Sequence, residues 1–112
     1  MCYYIITVKQ ERRRPDPASL KDLFTALLRL RNKKETEEFL TDLCTPAELC
    51  DMADRWKVAR LLDKGLPYRE INAKTGVSTA TVTRVARWLT RDKGGYRTIL
   101  DRMKPRRSRN GR

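Results

Sequence analysis

Between its two ends the chain repeats apolar residues at helical spacing. Leu20, Leu23, Phe24, Leu27 and Leu28 fall at i, i+3, i+4, i+7 and i+8, which is one apolar helix face. Asp16-Pro17 supplies a cap followed by proline at the first helical position, and Asn32 is the expected stop. A short second helix is predicted from about Lys34 to Leu43, burying Phe39, Leu40 and Leu43. The third opens at Thr45-Pro46-Ala47-Glu48, where Thr at the cap and Glu three residues later make a capping box. It runs to Lys64 and stops at Gly65, a suitable left-handed residue. Its apolar face is Leu49, Met52, Ala53, Trp56, Ala59 and Leu62, widened by Val58 and Leu61. A last helix carries Tyr96, Ile99, Leu100 and Met103. No segment alternates with period two and no repeat is visible, so the predicted fold class is all-α.

The most informative stretch is residues 67–89, PYREINAKTGVSTATVTRVARWL. A helix over about Tyr68 to Thr75 presents Ile71 and its neighbour Ala73. Gly76 follows, where the chain reverses with positive φ at little cost. Val77 plugs the corner and Ser78 caps the next helix. There Val82, Val85, Ala86 and Leu89 face inward. The outward face is Ala80, Arg84 and Arg87, with Thr83 on one flank and Thr81 and Trp88 on the other. Two short helices, a glycine turn and a basic outer face of small residues form a DNA-binding helix-turn-helix. A recognition helix enters a major groove about 12 Å wide nose-first, so its first turn needs short side chains. Ser78, Thr79, Ala80 and Thr81 are all short, and their hydroxyls and N–H groups suit phosphates or base edges. Arg69, Lys74, Arg84 and Arg87 suit phosphates or guanine. Asn72 stands where the middle of the first helix usually has a small residue; it either faces solvent or lies at the DNA.

Charge sharpens this picture. The 112 residues hold 26 Lys plus Arg against 14 Asp plus Glu, a net charge of +12, which points to a polyanionic partner. The charge is uneven: +3 over residues 1–14, −1 over 15–64, +3 over 65–90 and +7 over 91–112. The predicted organisation is a flexible basic arm over 1–16, one helical domain over 17–104 and a disordered basic tail over 105–112.

Several classes are excluded at this stage. No His is present, so histidine catalysis and histidine metal sites are ruled out. Cys2, Cys44 and Cys50 form no CxxC and read as reduced thiols, not as a zinc site or a disulfide framework. Lys93-Gly94-Gly95 is a turn, not a phosphate loop. The apolar run at the start is far short of the ~20 residues a spanning helix needs, and it lacks the features of a signal peptide. A cytoplasmic protein that is not an enzyme, with no metal and no membrane, is expected.

The segment TPAELCDMADRWKVARLLDKGLPYREI, followed by TGVSTATVTRVAR, resembles the tryptophan-repressor superfamily, in particular its small YerC/YecD-type branch. The resemblance covers about residues 18–104. It implies a six-helix protomer intertwined with a second copy, and two recognition helices about one DNA turn apart. Tryptophan repressors bind their corepressor between the third helix and the recognition helix. The matching positions here are Thr45, Arg55 and Arg84, retained in type. Val85 and Trp88 stand where tryptophan-binding members have glycine and serine; both fill space, so tryptophan is not expected as corepressor. Trp88 lies one turn after Arg84. Its indole either stacks on that guanidinium, worth roughly 0.5–2 kcal/mol, or is plain helix-packing surface. The resulting expectation is a sequence-specific transcriptional regulator, a repressor, binding double-stranded DNA as a homodimer. The alternatives are a low-specificity nucleic-acid binder and a protein-interaction subunit of a larger regulatory complex.

Overall fold

The computed structural model describes residues 14–90 and 94–104. The expected tail and most of the expected arm lie outside the described residues, as do Cys2 and the start of the Lys93-Gly94-Gly95 turn. Six helices are present among the described residues: α1 Pro17–Leu28, α2 Lys33–Leu43, α3 Pro46–Asp63, α4 Tyr68–Thr75, α5 Thr79–Leu89 and α6 Gly95–Met103. The described residues contain no strand, and the fold is all-α. The chain divides into two compact units, residues 1–40 and 41–112, with α2 running across the boundary.

In the first unit Asp16 caps α1, accepting from the Ser19 N–H at 3.0 Å and the Ser19 hydroxyl at 2.8 Å. Those donors, the hydroxyl first, hold the Asp16 carboxyl below its ordinary pKa. The helix closes at Arg29, whose N–H returns to the carbonyls of Ala26 and Leu27. Asn32 is not the stop that the sequence suggested. Its side-chain oxygen accepts from the Glu35 N–H at 2.9 Å, and Glu35 Oε1 accepts from the Arg31 N–H at 2.9 Å. Asn32 therefore opens α2, and the N-x-x-E spacing was its signal. Neither α1 nor α2 has a buried residue. Phe24 is 54% exposed and Leu28 83%; Leu43, expected to be buried, is 50% exposed. Periodicity identifies an apolar face but does not say whether a second surface covers it.

The second unit holds the core. Val58 and Ala59 of α3, Ile71 of α4, Val77 of the turn, Val82, Val85 and Leu89 of α5 and Leu100 of α6 form one buried cluster. Trp56, Leu61, Leu62, Leu66 and Tyr96 pack against it. The capping box of α3 is present in both directions: Glu48 N–H donates to Thr45 Oγ1 at 3.1 Å, and Thr45 N–H to Glu48 Oε1 at 2.8 Å. Only the second half of α3 enters the core. Met52 and Ala53 are exposed and Leu49 is half-buried, so of the predicted face the residues that join the core begin at Trp56. On α4 Ile71 is buried and its neighbour Ala73 is exposed. Helix α5 behaves as its period requires: Val82, Val85, Ala86 and Leu89 are buried.

Two glycines have positive φ, Gly65 at 92° and Gly76 at 75°. An added Cβ at Gly76 would meet nothing within 4 Å, so the demand for glycine there comes from the backbone alone. Gly76→Ala is expected to destabilise the fold by about 1–2 kcal/mol in urea titration, and Gly76→Asn by less, because asparagine tolerates the left-handed region.

The Asp16 cap makes a pH prediction. A carboxyl whose folded pKa is depressed contributes stability above its unfolded value and loses it as pH falls through the folded value. The helical Cα chemical shifts of Ala18 to Asp22 in NMR are expected to move toward random-coil values on acidification below about pH 4, the unfolded aspartate range. In Asp16→Ala they should lie nearer random-coil values at neutral pH and change little with acid.

Candidate nucleic-acid interface

The turn between α4 and α5 is built from both backbone and side chains. Gly76 N–H donates to the Asn72 carbonyl at 2.8 Å and ends α4. Ser78 then caps α5, its hydroxyl oxygen accepting from the Thr81 N–H at 3.2 Å while the hydroxyl donates to Thr81 Oγ1 at 3.1 Å. The Ser78 and Thr81 hydroxyls, both offered to DNA by the sequence, are thus paired with each other. Ala80, Thr83, Arg84 and Arg87 are exposed on the side of α5 away from its buried stripe, and Thr79 is exposed at the helix start. Arg69 and Lys74 on α4 are exposed as well. Asn72 is neither solvent-facing nor directed outward: it is half-buried and its amide donates to the Val77 carbonyl at 2.7 Å.

Helix α5 carries Arg84 and Arg87 and no acidic residue. Its first N–H groups have no intrahelical carbonyl and form the positive end of the helix dipole. The outward surface therefore combines short side chains, hydroxyls and two guanidinium groups. That set can accept phosphates at the helix start and base edges along the first two turns.

Behind this face lies a cleft of about 730 Å³, lined by Arg55 and Trp56 of α3, Arg84, Val85 and Trp88 of α5, and Gly95, Tyr96 and Ile99 of α6. It joins two guanidinium-bearing residues to an otherwise largely aromatic and aliphatic wall, within the ~300–1,000 Å³ range of small-molecule sites. Of the expected effector positions, Arg55, Arg84, Val85 and Trp88 come together here. Thr45 does not line the cleft; it is the α3 cap. Val85 and Trp88 were expected to fill the space, but they line it: Val85 points mainly to the core at 1% exposure and Trp88 stays 47% exposed.

Sequence reasoning did not foresee the part played by α6. Trp56 and Tyr96 stack with ring centroids 6.3 Å apart and planes 18° apart, within the range where aromatic pairs attract. On the same helix Arg97 donates to Asp63 at 2.9 Å and to Asp101 at 3.3 Å. Those carboxylates, Asp63 first, raise the Arg97 pKa above its ordinary value. Lys104 adds longer pairs to Asp63 at 3.9 Å and Asp101 at 3.5 Å. The apolar residues were legible as one helix face. Their partners 34 to 40 positions away on α3 were not, because a single chain carries no signal for such pairings.

The described residues contain no group of three or more His, Cys, Asp or Glu that could hold a metal, and no helix long and apolar enough to cross a membrane. Cys44 and Cys50 are free thiols.

A glycine-turned helix pair on an all-α scaffold, with an arginine-rimmed cleft behind its second helix, defines a small helix-turn-helix protein. Residues 18–104 match the family described as Trp repressor protein, the span of the sequence resemblance, and the chain belongs to that family. It is 42% identical over 85 residues to the uncharacterized protein YerC of Bacillus subtilis, covering 76% of this chain and 82% of that one. It is 46% identical over 63 residues to a Trp operon repressor homolog of Actinobacillus succinogenes, covering 54% of this chain and 62% of that one. The crystal structure of a TrpR like protein from Eubacterium eligens superposes with a TM-score of 0.72 at 36% identity, covering 77% of this chain and 89% of that one.

The ion pairs and the stack together hold the α6 wall of the cleft. Arg97–Asp63 is short and partly shielded, with side chains 29% and 17% exposed, whereas Lys104 is 52% exposed and its pairs are longer. Exposed, long pairs contribute little. Asp63→Asn is therefore expected to speed amide exchange across Thr98 to Arg102 several-fold, and Lys104→Ala to leave it nearly unchanged. Equal effects of the two would contradict this ranking.

Proposed function

We propose that the protein is a sequence-specific DNA-binding transcriptional regulator, acting as a repressor by occluding its site, and that it is not an enzyme. It binds as a homodimer in the cytoplasm and places α5 of each copy in the major groove. The observation that carries this is the two-sidedness of α5. One stripe is buried in the core, and the opposite one presents Ala80, Arg84 and Arg87, flanked by Thr83, to solvent with no acid on the helix. Family membership supports the same reading. A second copy is supported by exposed apolar side chains in each unit: Phe24 and Leu28 in the first, Ile99 and Met103 in the second.

Binding does not require tryptophan in this reading. The wall that is glycine and serine in tryptophan-binding members here carries Val85 and the chain's own indole, Trp88. Helix α5 thus keeps a ring against the cleft without an added one.

Selection from a random DNA pool, followed by titration of the enriched sequence at 50 and 200 mM salt, tests the reading. One palindromic motif is expected, bound by a dimer in light scattering. Affinity should fall by about 10³–10⁵ between the two salts if six to ten phosphates are contacted, with the motif still preferred. Tryptophan should leave affinity unchanged, and Trp88→Ser should lower it. Binding without an enriched motif would favour a low-specificity binder, and no binding at all a protein-interaction subunit.

A further inference from the structure

We propose that Asn72 is a positioning residue for the recognition helix: together with Thr75 it clasps Val77, and this clasp fixes where the first turn of α5 points. The inference rests on the DNA-reading role proposed for α5.

Val77 is the residue through which α4 hands the chain to α5, and three separate contacts hold it. Its carbonyl accepts the Asn72 amide at 2.7 Å. Its N–H donates to Thr75 Oγ1 at 3.0 Å, and the Thr75 hydroxyl donates in turn to the Ile71 carbonyl at 2.7 Å. Its side chain is buried in the core beside Ile71. Both polar contacts come from side chains on α4, so the peptide groups on either side of Val77 are tied to that helix and not to α5.

The next residue is Ser78, whose hydroxyl caps α5 and whose carbonyl receives the Val82 N–H at 3.0 Å. Setting the plane of the Val77–Ser78 peptide thus sets the origin of α5. The buried stripe of α5 fixes how the helix rolls on the core, but it leaves the N-terminal turn room to tilt about the glycine. Short side chains make that tilt matter. Thr79, Ala80 and Thr83 have little reach, so they touch base edges only if the backbone itself is placed within a few tenths of an ångström. Arg84 and Arg87, long and flexible, hold phosphates over a wider range of tilts. Loss of the clasp therefore affects discrimination between sequences more than binding to DNA in general.

The test uses the full chain with Asn72→Ala and the near-isosteric Asn72→Asp, whose ionised carboxylate has the same shape but no donor. In the free protein, amide exchange of Val77, Thr81 and Val82 is expected to rise roughly five- to tenfold in both variants, the range of one lost hydrogen bond. Exchange at Val58 and Ala59 should stay unchanged, which shows that the fold is intact. In DNA titrations of Asn72→Ala, which adds no charge, the affinity for the selected sequence should fall about five- to tenfold, while that for a random duplex stays within twofold. In Asn72→Asp, acidification that protonates the carboxyl restores a donor, and slow exchange at Val77 should return relative to Asn72→Ala at the same pH. Unaltered exchange at Val77 and Thr81 overturns the clasp. A parallel loss on selected and random DNA overturns the positioning role, and with unaltered exchange it marks Asn72 as a direct phosphate contact. A parent chain with no preferred sequence overturns the DNA-reading role itself, and the exchange data still report on the clasp separately.

Discussion

Burial of one stripe of α5 against Val58 and Ala59 of α3 and Ile71 of α4 is the constraint on which the second unit depends. An eleven-residue helix is marginal in water by itself, so its helicity comes from this packing. Val82 and Val85 are essentially inaccessible, and each is β-branched with a single strongly preferred rotamer in a helix. The contact therefore fixes the rotation of α5 about its own axis. Once that rotation is fixed, Thr83, Arg84 and Arg87 have no option but to face water. The functional surface is in this sense a by-product of the core.

The same core explains why the cleft exists. α3 packs on α5 through Val58 and Ala59, while Arg55 and Trp56, one turn earlier, line the cleft. α6 then closes the gap from the side through Tyr96 and Ile99, held by the Trp56 stack and the Asp63 ion pairs. Arg84 belongs to both surfaces, because it lines the cleft and lies on the outer side of α5. A change in the cleft thus has a short physical route to the outer side of α5, carried by one side chain and one helix.

Much of this was legible in the chain because local rules and burial agreed. The Thr45…Glu48 box, Gly76 at the turn, the Ser78 cap and the i, i+3, i+4, i+7 stripe of α5 each have a physical cause within a few residues, and each appears in the structure. What failed was of another kind. Asn32 reads as the end of a helix, although the N-x-x-E spacing makes it a start. Leu43 and Met52 have the right period for burial, but period carries no information on what lies opposite. The place of Asn72 is not legible because its acceptor, the Val77 carbonyl, is a backbone group that no residue type announces.

In the proposed function, charge and geometry divide the work of recognition between them. The first three helices are nearly neutral in balance, the helix-turn-helix segment carries +3 and the chain after residue 90 carries +7. A diffuse cationic excess raises affinity for any polyanion and is screened within about 10 Å at ordinary salt. It has no means of distinguishing one sequence from another. In that reading, discrimination falls to the few short side chains at the start of α5, which work only at close range from a backbone held still. Polar groups are spent on the turn: the Ser78 and Thr81 hydroxyls on each other, the Asn72 amide and Thr75 hydroxyl on Val77. With few long polar side chains on that turn, the proposed sequence preference would rest on the fit of a fixed helix to groove shape and its ordered water.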